Sequence, residues 1–256
     1  MVNESIAAER PTRRILGFPW PAEVTPAERK SLIAGGLGWM LDAMDVMLYS
    51  MVLAELLLHF GMSKQQAGLL NSLTLGASAI GGMFFGFLAD RIGRTRSLMA
   101  SILVYSLASA ACGFSQTIVQ LAIFRFVLGL GMGGEWTTGA ALIAETWPPE
   151  HRGKALGLMQ STWAIGEMIA AGVTGLVLPH YGWRAVFFVG ILPALIVFWI
   201  RRGVPESQIW LERGKEKAAS LRTMWRKDIR WKGVLATLMN ACGMFGYWGL
   251  FTWIPA

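Results

Sequence analysis

Two aspartates, Asp42 and Asp45, stand three residues apart in GWMLDAMDVMLYS (residues 38–50), an otherwise apolar stretch. A carboxylate at the centre of a membrane helix costs roughly 2.5–3.5 kcal/mol on insertion scales, so a pair of them there marks a functional site. Arg125 and Glu135 lie in a second apolar run, the arginine toward its outer end and the glutamate near its centre. The chemistry open to such a set is proton exchange and anion binding. An Asp takes up and releases protons, whereas an Arg keeps its charge. Desolvation favours the neutral carboxyl and a nearby guanidinium favours the ionised one. An Asp beside a mobile Arg is therefore a proton site whose affinity depends on conformation.

These residues need helices to position them. Gly38, Asp42, Asp45 and Tyr49 follow the spacing i, i+4, i+7, i+11, one stripe of a helix. Gln160, Trp163 and Glu167 repeat the pattern at i, i+3, i+7 in a further apolar run. Three segments thus each carry one polar face, as expected of helices lining a shared aqueous cavity. Structural ion pairs or interhelical hydrogen bonds are the competing explanation. That explanation suits Glu55, near an interface, and fits Glu167 as well as the cavity does.

The composition agrees with a membrane setting. Hydrophobic residues make up 54% of the chain and charged ones only 15%, against about 25% charged in soluble domains. Six apolar segments are long enough to cross about 30 Å of hydrocarbon. They fall near residues 31–58, 65–89, 96–114, 117–144, 153–178 and 183–203, and a seventh begins near 233. The expected organisation is an N-terminal segment 1–30, a six-helix bundle 31–203, a polar linker 204–232 and a partial seventh helix 233–256. Residues 1–30 lack the apolar core of a signal peptide. Cys112 and Cys242 both fall in apolar runs without metal-ligand spacing, and read as packing residues.

The basic residues set an orientation. One side receives Arg10, Arg13, Arg14, Arg29 and Lys30, then Arg91, Arg94 and Arg96, then Arg152 and Lys154, then the run from Arg201 to Lys232. The other side receives Lys64 and Arg184. The excess places the N-terminus and the linker in the cytoplasm. The net charge of +7 is dispersed between apolar segments rather than gathered on one domain, which argues against a nucleic-acid partner.

GFLADRIGRTR (residues 86–96) resembles the loop signature G-x-L-A-D-R-x-G-R-x-R of the major facilitator superfamily. RFVLGLGMGG (125–134) is similar to that family's R-x-x-x-G-x-G helix, and Glu145 with Arg152 match its E-x(6)-R element. PESQIWL (205–211) resembles the PESPRWL element of sugar porters, with Gln208 and Ile209 departing. LDAMD, GGEW (133–136) and GWRAVFFVGILPAL (182–195) look like the proton-coupled symporters of sialate, lactate, nicotinate and aromatic acids.

The resemblance implies an all-α membrane fold and proton-coupled uptake of a small organic anion across a bacterial or archaeal plasma membrane, with no cofactor. It matches Asp45 to a proton-carrying position, Arg125 to its partner and Asp42 to the first acid of a D-x-x-D pair. Arg125 with Tyr49, Trp136 and Trp163 would suit a carboxylate bearing an apolar or aromatic body. Glu135, Gln160 and Glu167 complete the expected cavity. Gly86, Asp90, Arg91, Gly93 and Arg94, with Glu145, Arg152 and Glu206, form the expected cytoplasmic gate. There the two glycines allow close backbone approach and turning, and Asp90 faces a helix N-terminus of a second bundle. Inverted three-helix repeats are also implied, and GLGWMLDAMD and GLGMGGEW share Gly-rich runs ending in a carboxylate. Twelve helices are expected of the family. The partner bundle is therefore expected outside this chain, which reads as a fragment in preference to a dimerising half.

Three alternatives stay in view. A uniporter or antiporter shares the fold, although the fifth segment's AIGEMIAAGV lacks the proline of the antiporter element G-P-x-x-G-G. A seven-helix receptor would place the N-terminus outside, against the basic residues. An enzyme would need a nucleophile–base pair, a metal-spaced His/Cys set or a phosphate loop, and none is legible.

Overall fold

Thr25 starts the first helix by a reciprocal cap. Its hydroxyl accepts from the Glu28 amide at 3.2 Å, and the Glu28 carboxylate accepts from the Thr25 amide at 2.9 Å. Pro26 occupies the first turn, where its missing N–H costs nothing. The computed structural model describes residues 12–15, 18–21, 24–213, 230–231, 233–239, 241–243 and 246. Helix α1 runs Pro26–Met51 and α2 Leu53–Phe60, joined at Val52 and ended by Gly61 in the left-handed region. Helix α3 spans Lys64–Ile92 behind a second reciprocal cap, Ser63 with Gln66. Helices α4 (Arg94–Gly113), α5 (Ile118–Thr146), α6 (Pro149–Val189), α7 (Pro193–Gly203) and α8 (Gln208–Arg213) follow.

Among the described residues five helical runs are long and apolar enough to cross a membrane, and the fifth, Pro149–Gly203, has 55 residues. At 1.5 Å per residue that run would measure about 80 Å, enough for two crossings. It is broken at Gly182, whose φ of 74° suits glycine alone. The expected spans 153–178 and 183–203 thus belong to one long helical run, divided at the expected place.

Packing fixes the directions. Trp147 donates to the Glu28 carbonyl at 3.0 Å and Thr162 to the Gly36 carbonyl at 2.8 Å, so α1 and the start of α6 run parallel. Gly35 lies on Ile143 and Gly38 on Glu135, so α5 runs against α1. One end of the bundle, here the near end, holds Glu28, Gly93, Trp147 and Glu206. The far end holds His59, Ser115 and Arg184, whose guanidinium meets His59 at 3.2 Å.

Helices α3 and α5 pack backbone to backbone. A side chain at Gly129 or Gly133 would collide with the carbonyls of Thr74 or Ser78, and one at Gly81 with that of Leu130. Gly86, expected to allow a close approach, does not do so among the described residues: a Cβ there meets open space. The approach to α5 is made about one turn earlier, at Gly81 and Gly82.

Within the expected N-terminal segment 1–30, Thr12–Ile15 and Phe18–Pro21 pair as an antiparallel hairpin. Phe18 and Trp20 each precede a proline, which disfavours helix and favours extended backbone. The hairpin lies outside the helical bundle in sequence and leaves the all-α class intact. The chain divides into Met1–Glu216 and Lys217–Ala256. Most of the expected linker 204–232, from 214 to 229, and the last ten residues of the expected seventh helix, 247–256, lie outside the described residues. Cys112 is buried as expected, whereas Cys242 is exposed on its apolar segment.

Candidate functional site

The stripe of α1 is real, and it points inward. Asp42 is 2% exposed, Asp45 1% and Tyr49 2%. Asp45 Oδ1 accepts from Ser109 Oγ of α4 at 3.1 Å, while Oδ2 has no partner. Gly190 closes over this contact, since a Cβ there would strike both Ser109 and Asp45.

Arg125 enters from α5 and is 1% exposed. Its Nε donates to Thr74 Oγ1 at 3.0 Å, and the Thr74 hydroxyl passes its own hydrogen to the Leu70 carbonyl. The guanidinium carbon lies 3.8 Å from the centre of the Tyr49 ring, a cation–π contact. Tyr49 is held in place by donating to the Ala67 carbonyl at 3.1 Å. Arg125 Nη1 is buried without a hydrogen-bond partner. The ion pairs among the described residues lie at the near end, and none joins Arg125 to Asp45.

Glu135 sits ten residues farther along α5, fully buried against Gly38. The order along the bundle is therefore Glu135, Asp42, Asp45, Arg125 from the near end toward the far end. Sequence reasoning passes over the residues of α4 that border this row. Ser101, Tyr105 and Ser109 recur every four positions in the third apolar segment, a polar stripe that could flag them. Tyr105 is fully buried with its hydroxyl unpartnered.

The remaining cavity residues form a separate group on the α1, α5 and α6 face. Trp39 stands between Trp136 and Trp163, with ring centres 4.7 Å apart in each pair. Trp136 and Gln160 are exposed, and Trp163 donates to Glu167 at 2.8 Å. Inside the bundle Asp45 meets Ser109 of α4, Arg125 meets Thr74 of α3 and Tyr49 of α1, and Glu135 lies on Gly38 of α1, while the three tryptophans and Glu167 form a group beside them.

The near-end cluster is built on Arg94. Its guanidinium pairs with Asp90 at 2.6 Å and Glu145 at 2.8 Å, with a second hydrogen bond to Glu145 through Nε. Ser207 Oγ also donates to Glu145. The Glu206 carboxylate accepts from the amides of Arg94 at 2.8 Å and Thr95 at 3.1 Å, which caps the N-terminus of α4. Gly93, at φ 107°, makes room for it. Trp210 Nε1 donates to the Asp90 carbonyl at 2.9 Å. Two expected members stand apart: Arg91 is exposed, and Arg152 donates from Nε to the Trp147 carbonyl at 3.0 Å rather than to Glu145. Arg152 lies in the first turn of α6, close enough in sequence to reach back to the preceding loop.

These features define a polytopic helical membrane protein with buried charge at mid-bundle and a charge cluster at one end. The Major Facilitator Superfamily model matches residues 36–256, and the chain belongs to that family. A protein of Cupriavidus pinatubonensis named "Probable 4-methylmuconolactone transporter" is 37% identical over 245 residues, covering 93% of this chain and 57% of the relative. A sialic acid transporter of Escherichia coli is 33% identical over 237 residues, covering 93% and 58%. The solved proton:xylose symporter of the same superfamily, bound to 6-bromo-6-deoxy-D-glucose, matches with a TM-score of 0.65 at 23% identity, over 88% of this chain and 56% of that one. This last likeness is one of fold. The chain spans a little over half the length of the curated relatives it matches.

Proposed function

We propose that the chain forms the first six-helix bundle of a secondary transporter that carries a small organic anion together with protons by alternating access. The observation that carries this reading is Arg125. A guanidinium buried to 1% exposure, with one nitrogen unpartnered and no carboxylate paired to it, is suited to receive an anion. Its planar fork fits a carboxylate bound through two hydrogen bonds. The names of the relatives, which concern sialic acid and a muconolactone, support an organic anion as cargo.

Asp45 is the coupling residue in this scheme. Ionised, it attracts Arg125 and holds the bundle in one state. Protonated, it leaves the guanidinium free for the substrate, a reading supported by the lack of an ion pair between Asp45 and Arg125 among the described residues. Asp42 shapes the site. Trp39, Trp136 and Trp163 offer an apolar surface for the body of the anion, and a second bundle completes the cavity. The Arg94 cluster latches the near end, which the basic residues assign to the cytoplasm of a plasma-membrane protein. The test is uptake of a panel of labelled acids by the intact protein in proteoliposomes, with and without an imposed proton gradient. Gradient-stimulated accumulation of a carboxylate is expected. Uptake that ignores the gradient would reject symport.

A further inference from the structure

Helices α1 and α7 leave an open groove between them at the near end. It holds about 510 Å³, within the range of about 300–1,000 Å³ usual for ligand sites, and is lined by the first turns of α1 and the last turn of α7. Lys30 lines it from α1 and Arg202 from α7, with Val204 and Pro205 beyond the end of α7. Neither cation has an ion-pair partner among the described residues. No acid lines the groove among them either. The carboxylates nearest in sequence are committed elsewhere: Glu28 is 2% exposed and accepts from the Thr25 amide, and Glu206 caps α4. Pro26 and Ala27 bring the start of a 26-residue helix to the groove. The Ala27 amide has no carbonyl to meet within that helix, and the helix dipole adds positive potential. The groove is thus shaped for an anion.

The surroundings say which anion. Ile33 follows Lys30 by three positions on α1 and is exposed. Leu195 and Phe198 precede Arg202 by seven and four positions on α7, and are 62% and 63% exposed. Each helix therefore carries a cation at the near end and uncovered apolar side chains on the same stripe, farther into the span. Trp199 flanks the groove: its indole lies 3.8 Å from where a Cβ on Gly203 would sit. An indole in such a place is usual at a membrane–water interface. A soluble anion would use the cations and gain nothing from the apolar stripes, whereas a phospholipid uses both. The basic residues assign the near end to the cytoplasm, and basic pockets between helices on that side receive anionic headgroups.

We propose that the groove between α1 and α7 binds the phosphate of an anionic phospholipid of the inner leaflet, held by Lys30 and Arg202, with an acyl chain along Ile33 and Phe198. This rests on the orientation of the bundle and not on what is transported. Arg202 supplies a planar fork to the phosphate oxygens and Lys30 a point charge. Pro205 adjoins Glu206, so an occupied groove also braces the segment that caps α4.

The test is native mass spectrometry of the intact protein in detergent, with phosphatidylglycerol and phosphatidylcholine of identical chains. Phosphatidylglycerol should be retained in preference, and Lys30→Gln or Arg202→Gln should each lower its retention about fivefold. Lys64→Gln, which removes one charge at the far end, should leave retention unchanged. Equal retention of the two lipids, or an equal loss in Lys64→Gln, would overturn the proposal. Soluble glycerol phosphate separates a lipid from a free phosphate. It should bind far more weakly than the lipid, and comparable binding would reject a lipid site. Photoactivatable phosphatidylglycerol, cross-linked to the unaltered protein in nanodiscs, keeps the test independent of how the variants fold. Attachment within residues 26–33 or 195–205 is expected, and attachment confined to other segments would reject the groove. A protein that shows these results but no proton-driven uptake would sink symport and leave the lipid site standing.

Discussion

At the scale of single residues, Arg125 and Asp45 carry the account. Arg125 is held by one hydroxyl and one aromatic face, contacts that orient a guanidinium without neutralising it. Arg125→Lys keeps the charge but loses the planar fork. It should weaken substrate binding by about ten- to a hundredfold, the loss of one charge-assisted hydrogen bond of about 1.5–3 kcal/mol. A binding isotherm on purified protein checks this, and unchanged affinity would remove Arg125 from the substrate site. The polar stripe of α1 is legible from spacing alone. Its direction is not, because periodicity places residues on a common face without saying whether that face meets a cavity or another helix. Ser109 escapes notice for a related reason. A serine in an apolar helix can satisfy itself on its own backbone, as Ser101 does on the Leu98 carbonyl, so its type is weak evidence of a partner.

At the scale of elements, the near-end cluster joins the α3–α4 corner to the end of α5 and the start of α8. Its motifs are readable in the chain, but its wiring is not. Glu206 caps α4 across a separation of 112 residues, a contact that no local pattern could announce. The motif spacing gives Arg152 a place in the charge network, whereas the fold gives the Glu145 carboxylate to Arg94 and Ser207. A difference in behaviour follows. Arg94→Gln removes the partner of two carboxylates from a largely buried pair, at a cost of about 3 kcal/mol to the latched arrangement. Transport turnover should change severalfold while membrane insertion is retained. Arg152→Gln loses one hydrogen bond to a carbonyl and should change turnover far less. Equal effects in the two variants, measured by initial rates of uptake, would restore Arg152 to the latch.

At the scale of the whole molecule, the number and order of crossings follow from the lengths of apolar runs. The break at Gly182 is equally readable from the change of composition around Tyr181. The hairpin at residues 12–21 is not, since four-residue strands fall below what hydrophobic periodicity can resolve. Orientation rests on the basic residues. A reporter fused after Arg202 should lie in the cytoplasm and one fused near Tyr181 outside, and the reverse pattern would invert the latch and its role.

The central claim, that Asp45 couples proton to anion, is tested most directly by comparing counterflow with proton-driven uptake in Asp45→Asn. The amide mimics the protonated acid, so the variant should still bind substrate and exchange it across the membrane. It should fail to accumulate substrate against a gradient. An Asp45→Asn protein that still concentrates substrate in response to a proton gradient would contradict the account.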